Sequence, residues 1–334
     1  MNPSTCLVIT TIQGSDNKVL QNYAKDCGKN KISFIVAGDH KSPKDFKLEG
    51  CEYLDIASQE ALPFSLSKLL PANNYAKKNI AYLQAIKKGN SVIIETDDDN
   101  FPLDEFWKVR NPLSEGHLVD STTWINVYSY FSDVYIWPRG FSLMHLKDPA
   151  TALEKKSSKL FSPIQQSLVD ENPDVDAIFR LTRELPFNFK KGEAVILGAG
   201  SVCPFNSQNT TWFKQAYPLM YLPSYCSFRM CDIWRSFIAQ RILWTNDWHL
   251  SFHSSSAYQQ RNEHDLIKDF EQEVSGYLHN HTIIEDLRAL DLKKGEDFIY
   301  ENLRACYKLM CDKNYLDKKE LPLLEAWIRD LQSL

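Results

Sequence analysis

Ser91-Val92-Ile93-Ile94-Glu95-Thr96-Asp97-Asp98-Asp99-Asn100 is a short β-branched apolar run that stops in three consecutive carboxylates. Lys87-Lys88-Gly89-Asn90 stands before it as a stop signal, so the run reads as a buried strand of a parallel sheet. Such a sheet delivers the residues beyond the carboxyl ends of its strands into a ligand crevice. Three adjacent acids repel one another there unless a cation neutralises them. A hard divalent ion, Mg²⁺ or Mn²⁺, suits them, because it takes oxygen ligands and completes its shell with water and substrate phosphates. The competing reading is a solvated acidic turn that caps the next helix.

Working outward, the first hundred residues alternate in texture. Cys6 to Ile12 and Ile32 to Ala37 read as strands, and Lys18 to Lys29 as a helix between them. Ala76, Ile80, Leu83 and Ile86 form a helical stripe before the acidic strand, with Gly89 at the place of a C′ residue. Strands alternating with helices imply an α/β fold with right-handed crossovers. Beyond Phe101 lies a stretch rich in Pro, Trp and Tyr that runs through Trp137-Pro138-Arg139-Gly140. Ala152 to Leu168 reads as loosely helical, Ala194 to Val202 as a strand with Gly198 and Gly200, and Met230 to Ile238 as an amphipathic helix. The last fifty residues keep a helical period and form a helical extension, for which residues 271–334 are the expected bounds.

Hydrophobic residues at 43% and aromatics at 12% exclude a disordered chain. A net charge of -5 without a Lys/Arg cluster excludes a general nucleic-acid binder. The first residues lack the pattern of a secretory signal and no window is apolar enough to span a membrane, so a soluble cytoplasmic protein is expected. Eight cysteines without a CxxC pair are expected to be reduced thiols rather than zinc ligands. An isolated Gly198-x-Gly200 lacks the third glycine of a dinucleotide fingerprint and reads as a turn.

Several segments together resemble the STELLO-type glycosyltransferases. These are Asn74-Tyr75-Ala76-Lys77-Lys78-Asn79-Ile80-Ala81-Tyr82 leading into the acidic strand end, Ile136-Trp137-Pro138-Arg139-Gly140-Phe141, Pro173-Asp174-Val175-Asp176-Ala177, Asn206-Ser207-Gln208-Asn209-Thr210, Asp232-Ile233-Trp234-Arg235 and Gln260-Arg261-Asn262-Glu263-His264. They occur in family order from about Asn74 to Leu266. The family is more distantly similar to reversibly glycosylated polypeptides, the UDP-arabinopyranose mutases, within the GT-A class. The resemblance implies a GT-A-like, Rossmann-type mixed sheet over residues 1–270, with a nucleotide half at 1–110 and an acceptor half at 111–270. It implies a glycosyltransferase that uses a nucleotide-diphospho-sugar, a UDP-sugar being the first choice, with Mn²⁺ or Mg²⁺ and a glycan or lipid-linked glycan acceptor. A nucleotide-sugar mutase and a catalytically silent sugar-nucleotide scaffold are the alternatives.

In the wider GT-A pattern the last acid of the triplet binds the metal, which assigns Asp99 as ligand, Asp97 as ligand or ribose contact, and Asp98 as helper. A downstream histidine often completes the set, for which His253 is the candidate beside a plain structural role. Arg261 and Asn262 are implied as closing over the diphosphate. A nucleotide lying over the first strand ends would meet Thr10, Thr11, Gln13 and Asp39, residues that are equally common in ordinary turns. Lys77 and Lys78 stand at a helix start, against the dipole, which points to a phosphate or an acidic partner, or to a solvated face. Arg139 suits a forked contact to phosphate or sugar, or an ion pair that fixes its loop. An inverting reaction needs a carboxylate base, with Asp232 first and Asp174 or Asp176 second; Asp232 also suits the first turn of its helix.

Overall fold

The computed structural model describes residues 4–153, 157–260 and 265–334. Eleven strands join one sheet among these residues: β1 (Thr5–Thr10), β2 (Ser33–Ala37), β3 (Glu52–Leu54), β4 (Val92–Thr96), β5 (Asn100–Pro102), β6 (Leu113–Val119), β7 (Ser157–Phe161), β8 (Ile164–Asp170), β9 (Ala194–Leu197), β10 (Asn209–Phe213) and β11 (Leu250–Gln259). Eight α-helices accompany them: α1 (Lys18–Asn30), α2 (Ile56–Ala61), α3 (Lys78–Lys87), α4 (Ala177–Thr182), α5 (Cys231–Thr245), α6 (Leu266–Arg288), α7 (Ile299–Asp312) and α8 (Glu320–Gln332). The order is β3-β2-β1-β4-β10-β8-β11-β9-β6-β7, with β5 added against β11. The first four strands are parallel, and β10 turns the sheet antiparallel beside β4. This is the mixed, Rossmann-type sheet with flanking helices that the sequence led us to expect.

The pleat explains why the run before the acids is apolar throughout. Val92 and Ile94 of β4 pack with Leu7 and Ile9 of β1 and with Leu20 and Tyr23 of α1 on one face. Ile93 packs with Cys6 and Val8 and with Ile80 and Leu83 of α3 on the other. Both faces are therefore covered, which leaves no position for a polar side chain without a partner. Glu95 shares the Ile93 face and has such partners: Arg235 of α5 holds it in a forked pair at 2.8 and 3.2 Å, Trp212 donates at 2.8 Å, and the Tyr82 hydroxyl also donates. This buried pair joins β4 to α5 across 140 residues of sequence. A buried carboxylate that lost its guanidinium would be strongly destabilising.

One expectation is corrected. The stretch from Ala152 to Leu168 contains β7 and β8 rather than a helix. Pro163 interrupts a helical register between them. The glutamines that made β8 read as a surface helix instead bond along the sheet, Gln165 to the carbonyl of Asn111 at 2.7 Å and Gln166 to that of Asn209 at 3.1 Å. The boundary at residue 270 falls inside α6, and Ile283, Leu303, Tyr307 and Trp327 belong to the same core as Ile93 and Trp212. The C-terminal helices pack into that core. Glu320 accepts the backbone N–H groups of Ser224 and Tyr225 at 2.9 and 2.7 Å, and Asp330 accepts those of Ser65 and Leu66, each at 2.9 Å. No described helix is long and apolar enough to cross a membrane. All eight cysteines are free thiols.

Candidate active site

Strand β1 is flanked by β2 on one side and β4 on the other, so the chain reverses its direction of travel across the sheet there. A crevice opens at such a point beyond the carboxyl ends of the strands. A cavity of about 430 Å³ occupies it, within the size range of ligand sites. It is lined by Thr10, Thr11 and Gln13 after β1, Asp39 after β2, Lys77 before α3, and Asp97, Asp98 and Asp99 after β4. Its far wall comprises Arg139, Asp174, Arg180, Ser207, Arg229 and Asp232. Residues from eight separate segments, most of them named from the sequence, therefore converge on one space.

Each acid of the triplet is held by neighbouring side chains. Asp97 Oδ1 accepts from the Tyr75 hydroxyl at 2.6 Å and from Lys78 at 3.1 Å. Thr11 donates to Asp98 Oδ2, and Gln259 of β11 donates to Asp99 Oδ2 at 2.9 Å. Burial pushes the Asp98 carboxyl up to about 6, against the Thr11 hydrogen bond and with the help of the Asp97 charge. Lys78 is fully buried, and its ammonium also donates to the Thr96 carbonyl at 2.9 Å. The cation that opposes its helix dipole thus has an acidic partner in Asp97. Lys77 lines the cavity, and burial lowers its ammonium despite the nearby Asp39 and Glu60.

Asp39 spends both oxygens on backbone: Oδ1 accepts from His40 at 2.7 Å and Asn73 at 3.0 Å, and Oδ2 from Asn74 at 2.8 Å. It fixes the loop that carries Tyr75 and Lys77 rather than presenting a bare carboxylate. Thr11 has a similar double duty, since its hydroxyl accepts the backbone N–H of Gln13 at 2.9 Å.

On the far wall Arg139 is the centre of a buried ion triad. It forks onto Asp174 at 2.7 and 2.9 Å and onto Asp232 at 3.0 and 2.8 Å, and it also donates to the Arg229 carbonyl. Burial opposes the Asp232 charge, but the adjacent guanidinium outweighs it and holds the carboxyl at about 2. Asp232 is therefore held as the carboxylate at neutral pH. Its Oδ2 also accepts the backbone N–H and the hydroxyl of Ser207, each at 3.2 Å. The loop that carries Arg139 is shaped by Gly140, whose φ of +84° and a Cβ position 2.4 Å from Ile233 exclude a side chain. Arg139 is thus committed to its two carboxylates, which is the ion-pair alternative for that residue.

Two sequence candidates lie away from the cavity. Asp176 is the N-cap of α4, accepting from Phe179 N and Trp137 Nε1, each at 2.8 Å; burial pushes it up to about 6. Its acid type reflects a capping task, which sequence alone does not distinguish from base catalysis. His253 lies within β11, six residues before Gln259 and so roughly 20 Å along the strand from the triplet's partner. It bonds to Ser251 at 3.0 Å, and burial with Arg110 nearby lowers it to about 4. It is no ligand candidate in this arrangement, and no group of three or more His, Cys, Asp or Glu side chains poised for a metal occurs among the described residues. Arg261 and Asn262 lie outside the described residues.

Other members of the site were not assigned a role from sequence. Tyr75 and Ser207 connect the two walls, with their hydroxyls 2.8 Å apart. Arg229 pairs with Glu273 of α6 at 2.8 Å, and Glu273 also accepts the Ala177 N–H at 2.7 Å, so α6 braces the far wall. Ile12 and Phe228 line the cavity yet are 55% and 59% exposed, which places apolar surface at its mouth. An aromatic beside Arg229 and Asp232 was a usable signal; the Tyr75–Ser207 contact, 132 residues apart, had none.

A family model described as STELLO glycosyltransferases matches residues 229–334, which include Asp232, Glu273 and the helices behind the far wall. Two Arabidopsis thaliana proteins, probable glycosyltransferases STELLO2 and STELLO1, are each 25% identical over 321 and 319 residues, covering 89% of this chain. The chain spans only 41% of the length of either relative. Among solved structures, the M. tuberculosis glucosyl-3-phosphoglycerate synthase is similar at 9% identity with a TM-score of 0.40, covering 83% of this chain and 80% of that one. A mycobacterial protein of unstated activity is similar at 8% identity with a TM-score of 0.44, covering 83% and 74%. Neither structural likeness is near enough to bear on the chemistry. The sequence similarity to the STELLO glycosyltransferases thus lies in residues 229–334 by the family model and runs over 89% of this chain in the two relatives.

Proposed function

We propose that this chain is a metal-dependent glycosyltransferase that takes a sugar from a nucleotide-diphospho-sugar, a UDP-sugar, and passes it to a glycan or lipid-linked glycan. The observation that carries the reading is the meeting of the Asp97–Asp98–Asp99 triplet with the ends of β1 and β2 in one cavity at the reversal of the sheet. The donor set fits a divalent ion: three carboxylates, held in place by Tyr75 and Lys78, by Thr11 and by Gln259, line one cavity at a strand end. Asp97 and Asp99 are the residues we assign to hold it, an incomplete protein set that suits an ion sharing its shell with water and phosphate. When bound, Mn²⁺ or Mg²⁺ offsets the negative charge that gathers on the diphosphate as the bond to the anomeric carbon breaks.

The chain's own groups do the rest. Thr10, Thr11 and Gln13 border the nucleoside end, and Lys78 holds Asp97 in place from below. Lys77 adds a positive charge on the phosphate side. Asp232 and Asp174, locked on Arg139, present fixed hydrogen-bond acceptors that orient acceptor hydroxyls. A carboxyl held near 2 is a weak proton acceptor, so orientation suits Asp232 better than general-base work. Ile12 and Phe228 supply apolar contact for rings at the mouth.

The test is product analysis by mass spectrometry after incubation with a panel of UDP-sugars and Mn²⁺, with and without glycan acceptors. We expect divalent-dependent release of UDP that rises with acceptor. Isomerised UDP-sugar without transfer would favour a mutase, and tight UDP-sugar binding without any turnover would favour a silent scaffold.

A further inference from the structure

We infer that the hydroxyls of Tyr75 and Ser207 form a two-position bridge that passes the charge state of Asp97 on to Asp232, from one wall of the cavity to the other. The atoms form a continuous line. Lys78 Nζ lies 2.6 Å from Tyr75 Oη, Tyr75 Oη lies 2.6 Å from Asp97 Oδ1 and 2.8 Å from Ser207 Oγ, and Ser207 Oγ lies 3.2 Å from Asp232 Oδ2.

Counting protons shows why the line has two states. Lys78 has hydrogens to donate and accepts none, so it takes one lone pair of Tyr75. Tyr75 and Ser207 then hold one hydroxyl proton each, with three remaining contacts to fill. In one arrangement Tyr75 donates to Asp97 and Ser207 donates to Tyr75, so Asp232 keeps the backbone N–H groups of Ser207 and Ile233 and Arg139 but loses the Ser207 hydroxyl. In the other, Tyr75 donates to Ser207 and Ser207 donates to Asp232, so Asp97 keeps only Lys78. Donating outward to both carboxylates would set two oxygen lone pairs against each other at 2.8 Å. The bridge therefore serves one carboxylate or the other.

Charge decides which one it serves. Both ends are carboxylates, but an uncovered Asp97 lies at 2.6 Å from Tyr75 Oη, whereas Asp232 lies at 3.2 Å from Ser207 Oγ with both oxygens already on Arg139, so the bridge turns toward Asp97. A cation seated on Asp97 weakens that attraction and turns the bridge toward Asp232. Both ends are rigidly placed: Tyr75 comes directly after an Asn74 cap on the loop fixed by Asp39, and Ser207 lies beside β10 with its backbone bonded to Asp232. The link thus lets the donor end alter the hydrogen bonding of the wall that we assign to the acceptor. Its consequence for turnover rests on the glycosyltransferase reading; its existence does not.

The test uses the full chain labelled with ¹³C at aspartate Cγ, with the Asp232 carboxyl resonance assigned by its absence in Asp232→Asn. Asp97→Asn removes the charge without any ligand. We expect that substitution to displace the Asp232 resonance, and the displacement to fall by at least half when it is made in Tyr75→Phe or, separately, in Ser207→Ala. Each background lacks one oxygen of the bridge but keeps the through-space effect of Asp97. An equal displacement in all three backgrounds, or none in the wild type, would overturn the bridge. A second arm adds Mg²⁺ with UDP to the wild type and to Tyr75→Phe. If the substitution arm holds and these probes leave the resonance unmoved, the donor reading fails while the bridge stands.

Discussion

Arg139→Met should cost about 3–5 kcal/mol of stability, because it strands two carboxylates that share one buried guanidinium. The loss should depend on pH in a definite direction. In the wild type the Asp232 carboxyl is lowered in the fold, so its pairing contributes fully above the unfolded value of ~3.9 and fades only as pH falls toward about 2. In the variant the two acids are buried side by side without their cation and take up protons more readily. Urea denaturation from pH 7 down to pH 4 should therefore show the gap between variant and wild type narrowing. A gap below 1 kcal/mol, or one constant with pH, would mean that the triad is solvated rather than buried.

The second large effect is on ligand binding. Thermal unfolding of the wild type with Mn²⁺ and UDP at about a hundred times their dissociation constant should show roughly 2.7 kcal/mol of added stability. Asp99→Ala should abolish that increment, while its cost to the unliganded protein stays near ~1 kcal/mol, the worth of the lost contact from Gln259. If charge neutralisation contributes about 4 kcal/mol to the transition state, turnover should fall on the order of 10³-fold. Metal dependence that persists unchanged in this variant would reject Asp99 as a ligand.

The parts of the fold legible in the sequence were those in which local and long-range demands agree. Val92 to Ile94 must be apolar because both faces of β4 are covered, and the acids begin where the covering helices end. The α3 stripe and Gly89, with φ of +77°, end the preceding helix as its residues require. Where partners come from far along the chain, the residues misled. Gln165 and Gln166 looked like a helix surface because their backbone acceptors lie on other segments. Asp232 and Asp176 looked alike as candidate bases, yet one is held at the cavity wall by Arg139 and the other caps α4 behind it. Glu95 is the clearest case. Within an apolar strand it carried no sign of Arg235, whose guanidinium gives it a reason to be there.

The most direct measurement is an anomalous difference map at the manganese edge from a crystal grown with Mn²⁺ and UDP. A manganese peak is expected within coordination distance of Asp97 and Asp99, with the diphosphate on its other side and the uridine toward Thr10, Thr11 and Gln13. UDP bound in that cavity with no manganese beside the triplet, or manganese bound elsewhere, would contradict the assignment of the triplet as the metal and diphosphate site.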